Sequence, residues 1–426
     1  MKQATNPALR YALTALGLLA GLGGVIAHTL MTDFPVDMVI YREGVKAFLE
    51  GREVYSEPMY AGDLALPFIY PPFGALVMVP LTIFDWMSHD MAGNVMIVLS
   101  DLLVLACLYL LFRAVLQHKQ WLLPVTALTW AVTMAFEPVR LNNGFAQINI
   151  VIMALVMFDL LPRRRRLPQG WLIGLAAAIK VTPLAMLLYF LLRKEIKPIL
   201  TAAVSAVLAT LAAAAFRWDA FVEFFTSKLL AMGSGEDFGV GTSYQSNSSL
   251  KGVLQRLCTS DEAMKDNGTL LNVLWLVLVL VVIGLGSRII LAQLRRGLLV
   301  DAQLTTAVIM LLISPVSWSH HWVWLALALP LWILRAWQWR TTHWAAGSLL
   351  AVLAAWVAML VTVPPKWWFG DSVDVYAMPF YQKFLVDDFV WLSVVTLALY
   401  CFLLRFVPVR GLGASSDLLQ RRDVRS

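Results

Sequence analysis

The stretch Leu270 to Ile290 reads LLNVLWLVLVLVVIGLGSRII and meets its first charge at Arg288. At about 1.5 Å per residue, such a run crosses the roughly 30 Å hydrocarbon core of a bilayer as one helix. Comparable blocks lie on either side of it, from Leu9 to Met31, Val95 to Phe112, His343 to Val363 and Phe389 to Phe406. Of the 426 residues, 60% are hydrophobic and 14% charged, against about 45–50% and about 25% in soluble domains. Too little polar surface remains to coat a water-soluble particle, so lipid must coat it. The sequence predicts an all-α polytopic membrane protein with about 11 to 13 transmembrane or re-entrant helices joined by external loops. The first block is long for the apolar core of a signal peptide and has no small-x-small site before Thr32, so it reads as a retained helix.

The net charge is +6, but its meaning depends on which side of the membrane each charge occupies. Basic residues gather beside apolar blocks, at Arg163 to Arg166, at Arg193, Lys194 and Lys197, at Arg295 and Arg296, at Arg335 and Arg340, and at Arg421, Arg422 and Arg425. The positive-inside rule puts these in the cytoplasm, so the basic excess is topological and gives no support to a nucleic-acid partner. Residues 1–407 then form a single transmembrane domain with external loops at about 32–66, 217–269 and 364–388. Residues 408–426 form a basic cytoplasmic tail without order. Lys180 and Pro183 interrupt one apolar stretch and Pro138 another, which predicts broken or re-entrant helices there. Trp318, Trp322, Trp324, Trp367 and Trp368 fall near helix ends and read as an interfacial aromatic belt. Cys107, Cys258 and Cys401 are scattered, with no disulfide framework and no CxxC motif.

Polar residues that could carry chemistry fall in four places. Asp37, Tyr41 and Val45 recur at i, i+4 and i+8, so they share one face of a short helix. A carboxylate held there can take a proton from a hydroxyl, although spacing alone favours a solvated loop acid or helix N-cap. Asp33 lies just before Pro35. His320 and His321 stand together between two apolar blocks; adjacent histidines make a poor chelate on a helix, whereas one imidazole beside an anion is a workable arrangement, and so is an interfacial histidine satisfied by water. Lys180 is an ionisable group in an apolar stretch, where a functional role is the default and snorkelling to the interface is the other reading. Arg140, Gln147 and Asn149 share a segment rich in amide side chains that suits sugar hydroxyls or phosphate and also suits a plain turn. The chain has no P-loop, no GxGxxG after a strand, no HExxH and no GxSxG. Nucleotide-driven pumping and zinc proteolysis therefore fall away.

With the loop from Asp37 to Tyr55, Phe68-Ile-Tyr70-Pro71-Pro72, Gln147-Ile-Asn149, Lys180-Val-Thr-Pro183 and Ser314 to Trp322 in this order, the chain resembles glycosyltransferase family 87. The family's Gly-Gln-x-Asn pattern stands here as Gly144-Phe-Ala-Gln147-Ile-Asn149. The resemblance implies a GT-C-type fold and a polyprenyl-phosphate-mannose donor. It also implies inversion to an α-mannoside, most like the actinobacterial α-(1→2)-mannosyltransferases that build phosphatidylinositol mannosides, lipomannan or lipoarabinomannan. On that reading Asp37 is the general base, with His320 and His321 in the catalytic set. Asp33, Tyr41, Tyr70, Arg140, Gln147, Asn149 and Lys180 bind substrate. The expected partners are the donor, a lipid-linked mannan acceptor and membrane lipids, with the active site on the extracytoplasmic face of the plasma membrane. No cofactor is expected; a divalent metal at Asp33 and Asp37 is possible but not favoured. A secondary transporter or glycolipid flippase is the alternative, and internal two-fold symmetry, which would favour it, is absent from the sequence.

Overall fold

Helix α1 (Pro7–Met31) begins where Asn6 accepts from the Ala8 amide at 2.9 Å and Pro7 presets the first turn. The computed structural model describes residues 6–161, 165–234 and 239–409. Arg163, Arg164 and the expected tail from residue 410 onward lie outside the described residues. Five helices are long and apolar enough to cross a membrane, at Pro7–Met31, His89–Val115, Ile196–Phe216, Gly268–Arg295 and Ala345–Trp367. Two bent pairs, Lys119–Met134 with Glu137–Gly144 at 64° and Phe380–Val386 with Asp388–Leu404 at 70°, raise the number to seven if each is one span. Shorter apolar helices at Pro72–Leu81, Asn149–Leu160, Thr182–Leu192 and Leu299–Ile313 supply the rest of the expected apolar segments. The outward faces of the long helices are greasy: Leu19 of Pro7–Met31 is 69% exposed and Leu280 of Gly268–Arg295 is 62% exposed. That suits contact with lipid. The chain is a multi-pass membrane protein.

The chain divides into two compact units, and the first holds residues 1–184, 196–247 and 317–326. After α1 come α2 (Val36–Glu50), a short antiparallel hairpin of β1 (Met59–Ala61) and β2 (Leu64–Leu66), and α3 (Pro72–Met78). Gly51, at φ +77°, closes α2. Next are α4 (His89–Val115), α5 (Leu122–Met134), α6 (Glu137–Gly144), α7 (Asn149–Leu160) and α8 (Trp171–Ile179). Small residues let helices touch without a water-driven hydrophobic term. A Cβ on Gly17 of α1 would fall 2.5 Å from the Ala127 backbone of α5, and one on Gly174 of α8 would fall 2.3 Å from Ala202 O of the helix Ile196–Phe216. Asp159, at the end of α7, accepts from the amides of Gly170 and Leu172 at 2.8 Å and Ile173 at 3.1 Å. One carboxylate thereby satisfies amides at the start of α8.

The second unit holds residues 185–195, 248–316 and 327 to the C-terminal side. Its centre is the helix Leu299–Ile313, buried on every side. Asp301, fully buried there, takes the Arg335 guanidinium at 2.9–3.1 Å and the Tyr400 hydroxyl at 2.6 Å. A buried charge persists only when paired in this manner. One sequence expectation fails within the first unit. Trp322 and Trp324 are 0% and 3% exposed, so they pack the interior and form no part of an aromatic belt.

Candidate active site

Asp37 sits in the first turn of α2, and Tyr41 follows one turn later on the same face. The Gln147 side chain joins this face from a distant part of the chain. Its Nε2 donates to Asp37 Oδ2, while its Oε1 accepts from the hydroxyls of Tyr41 at 2.5 Å and Tyr70 at 3.0 Å. The two phenol oxygens lie 2.8 Å apart. Because Oε1 is committed to hydroxyl donors, the amide can present only N–H groups to the carboxylate. Tyr70 is itself positioned from behind, where Tyr55 donates to its carbonyl at 2.9 Å.

A tight turn delivers Gln147 to this position. Helix α6 ends at Gly144, Ala146 takes φ +52°, and the Gln147 amide donates to Asn142 O at 2.8 Å. Left-handed backbone disfavours a side chain, so a buried alanine here is held by its surroundings. Behind α6, Asn143 Nδ2 donates to Asp101 Oδ1 at 2.7 Å, and Asp101 Oδ2 faces His28 Nδ1 at 3.0 Å. The other ring nitrogen of His28 lies 3.0 Å from Met134 O. A carbonyl can only accept, so Nε2 carries a proton. The network ties α1, α4, α5 and α6 together directly behind the Gln147 turn.

A cation completes the cluster. Helix α8 stops at Ile179, Lys180 is extended, and Pro183 follows. At that break Lys180 Nζ donates to Asn149 Oδ1 at 2.8 Å and lies 3.2 Å from His321 Nε2 and 5.5 Å from the centre of the Tyr70 ring. His320 and His321 belong to the short 3₁₀ stretch Ser319–Trp324, with ring centroids 4.8 Å apart. Asn149 Nδ2 reaches His320 O at 3.4 Å. The stretch is fixed from the preceding loop, where Asn247 Oδ1 accepts from the Ser317 amide at 2.9 Å and Ser246 Oγ from the Ser319 amide at 3.1 Å.

Burial sets the electrostatics. Desolvation raises Asp37 from 3.8 to about 6, with the Gln147 hydrogen bond and the Lys180 charge pulling the other way. His320 is pulled down to about 3 by burial and then by Lys180, so it is neutral near pH 7 and does not serve as a fixed cation. Asp37, Tyr41, Tyr70, Gln147, Asn149, Lys180, His320 and His321 thus gather in one cluster. Asp33 is exposed ahead of α2, and Arg140 is exposed on α6. Among the described residues no three His, Cys, Asp or Glu side chains converge as metal ligands would. His28, Asp101 and Asn143 were not singled out from the sequence, although an Asp within the apolar block Val95 to Phe112 was a readable signal.

A membrane-spanning α-helical chain with an acid and a cation in one polar cluster matches a known class by sequence. The profile of glycosyltransferase family 87 matches residues 68–315. The polyprenol-phosphate-mannose-dependent α-(1-2)-phosphatidylinositol mannoside mannosyltransferase of Mycolicibacterium smegmatis is 32% identical over 386 residues, covering 84% of this chain and 83% of that protein. The protein of the same description from Mycobacterium tuberculosis is 32% identical over 363 residues, covering 79% and 80%. A Mycolicibacterium smegmatis α-(1-2)-phosphatidylinositol pentamannoside mannosyltransferase is 31% identical over 311 residues, covering 70% and 69%. Among solved structures, ArnT from Cupriavidus metallidurans bound to undecaprenyl phosphate aligns over 92% of this chain and 77% of its own, with 13% identity and a TM-score of 0.44. The molecule is a membrane glycosyltransferase. The chain belongs to glycosyltransferase family 87, as the resemblance implied.

Proposed function

We propose that this enzyme transfers mannose from polyprenyl-phosphate mannose to a hydroxyl of a lipid-linked glycan, with inversion to an α-(1→2) linkage. The acceptor is of the phosphatidylinositol mannoside, lipomannan or lipoarabinomannan class, and the relatives' descriptions favour phosphatidylinositol mannoside. The reaction takes place on the extracytoplasmic face of the plasma membrane. The observation that carries the reading is Asp37, half-buried, raised to about 6, and held by Gln147 on the face it shares with Tyr41. Such a group is ionised at neutral pH yet basic enough to take a proton as a bond forms.

The acceptor oxygen attacks C1 of mannose from the face opposite the phosphate. Its O–H proton passes to the Asp37 carboxylate, the C1–O bond to phosphate breaks, and polyprenyl phosphate departs with the bonding pair. Gln147 holds Oδ2, which leaves Oδ1 for the proton. Lys180 has two directions filled by Asn149 and His321, and its remaining N–H meets the charge growing on the departing phosphate. His321 and Asn149 thus position that ammonium, and neutral His320 borders it. Tyr41 and Tyr70 are the hydroxyls placed to line the sugar. Arg140 and Asp33, both exposed, bind the substrates outside this cluster.

The donor is the decisive test. Purified protein is given radiolabelled polyprenyl-phosphate mannose or GDP-mannose together with a phosphatidylinositol mannoside acceptor. Transfer from the lipid-linked donor alone supports the reading. Transfer from GDP-mannose without a lipid carrier overturns it.

A further inference from the structure

Helix α4 is long and apolar enough to span the membrane, and it carries a fully buried carboxylate, Asp101. An ionisable group inside a span is costly enough that function is its default explanation. Helix cohesion accounts for part of its bonding. Asp101 Oδ2 faces His28 Nδ1 of α1 at 3.0 Å, and Trp130 Nε1 of α5 donates to the Asp101 carbonyl at 2.9 Å. These bonds tie α1, α4 and α5 together without using Oδ1. That oxygen accepts from Asn143 Nδ2 at 2.7 Å, on the short helix α6 whose end delivers Gln147.

From Asn143 the hydrogen bonds run on to the base. Asn143 Oδ1 accepts from Asn142 Nδ2 at 3.2 Å, and the same nitrogen donates to Gln147 O at 3.2 Å. The Gln147 backbone amide returns a bond to Asn142 O at 2.8 Å. Asn142 therefore grips Gln147 with both its side chain and its backbone. Its side-chain amide has one workable orientation, because a flipped group would set its oxygen against two other oxygens. In that orientation Asn142 Oδ1 is buried with no hydrogen-bond partner among the described residues, a polar atom left unmet where the grip uses the N–H groups. Ala146, between the two, takes φ +52°, and a left-handed alanine relaxes unless its neighbours hold it. Asp101, Asn142, Asn143 and Gln147 are all buried, so bulk water does not compete along this route.

We propose that Asp101 is a positioning residue for the transfer step, acting through Asn143 and Asn142 to hold the Gln147 amide against Asp37. The proposal rests on the reading of Asp37 as the base. Gln147 donates to that carboxylate, Lys180 is the cation that acts on it, and the Tyr41 and Tyr70 hydroxyls are turned to Gln147. Loosening Asn143 lets the Gln147 amide retreat, and Asp37 then loses a bond that favours its ionised form. Lost orientation lowers kcat at the same time. Lys180 keeps Asn149 and His321, so donor binding is spared.

The test is kcat and donor KM against pH for the full chain purified in detergent. Asn143→Leu cuts the route and leaves the pair of His28 and Asp101 in place, and Asp101→Leu removes the acceptor. In both, the rising limb at about pH 6 should move to higher pH, kcat should fall about tenfold or more, and donor KM should stay within about twofold. Asp101→Asn keeps an acceptor for Asn143 and can donate to His28, so its limb should stay with the wild type. Tyr400→Phe removes a hydroxyl from Asp301 in the second unit; it should lower the thermal midpoint and leave the limb in place. If a leucine variant does not fold, Asn143→Ser, whose hydroxyl falls short of Asp101, or Asp101→Ala is read in its place. A limb that stays put in the Asn143 and Asp101→Leu variants, or moves equally in Asp101→Asn or Tyr400→Phe, overturns the proposal. A wild type with no limb near pH 6 instead overturns Asp37 as the base, and this inference with it.

Discussion

Gln147 holds Asp37: the side-chain amide donates to one carboxylate oxygen while its carbonyl accepts from Tyr41 and Tyr70. This bond favours the ionised form and so opposes the burial that raises Asp37 to about 6. Turnover should therefore rise with pH through about 6, because the base must be deprotonated to act, and fall again above about 8, where Lys180, lowered by burial, loses the charge it supplies. Gln147→Ala removes the opposing bond, and the rising limb should move to higher pH with kcat down about 10²-fold through lost orientation. A kcat against pH profile of both proteins checks this. An unmoved limb would mean that Gln147 does not touch the base.

Lys180 is assigned to the charge growing on the leaving phosphate. Charge, more than shape, is what it supplies, so Lys180→Gln should lower kcat by about 10²–10³-fold and Lys180→Arg by much less. Single-turnover rates with saturating donor separate this from binding. Equal losses in the two variants would assign Lys180 a packing role.

Ala146 carries φ +52° in the turn that delivers Gln147. Ala146→Gly relieves about 1–2 kcal/mol of local strain and costs a comparable amount of chain entropy, leaving stability and activity near wild type. Ala146→Val adds a branched side chain to a buried left-handed position and should abolish transfer. Thermal midpoints and turnover of the two variants, compared side by side, decide it.

The pair of His28 and Asp101 lies 3.0 Å apart inside the helical bundle. Removing the carboxylate leaves buried polar groups of His28 and Asn143 short of a partner, at a cost of about 1–3 kcal/mol. Asp101→Leu should therefore lower the thermal midpoint sharply, and His28→Leu with Asp101→Leu should recover part of the loss. A double variant less stable than both single variants would contradict this account of the network.

The sequence made several elements readable because their signals were local. The i, i+4 spacing of Asp37 and Tyr41 is a helical face, and the lysine and proline at 180 and 183 sit at a real break between α8 and the following 3₁₀ turn. Four of the five apolar blocks became helices of membrane-crossing length, and Phe389 to Phe406 became the longer arm of a bent pair, because period and composition within one segment decide helix formation. The partnership of Asp37 with Gln147 spans 110 residues, and no local pattern encodes which distant amide will meet a given carboxylate. Trp322 and Trp324 were misread for a related reason. A tryptophan near a helix end suits an interface or a core equally, and only packing distinguishes the two. Asp101 was overlooked although a charge inside an apolar block is itself a signal.

The central claim is that Asp37 removes the acceptor proton, and the most direct measurement is mannose transfer by Asp37→Asn from polyprenyl-phosphate mannose at matched amounts of monodisperse protein. Asparagine keeps the shape but cannot take a proton, so turnover should fall about 10²–10⁴-fold. Folding should not suffer. Because the folded protein raises Asp37 from 3.8 to about 6, its contribution to stability is full below the ordinary carboxylate range and is lost as pH rises through about 6. At pH 7.5 the variant should therefore melt no lower than wild type. A folded Asp37→Asn protein retaining more than about a tenth of wild-type turnover would contradict the account.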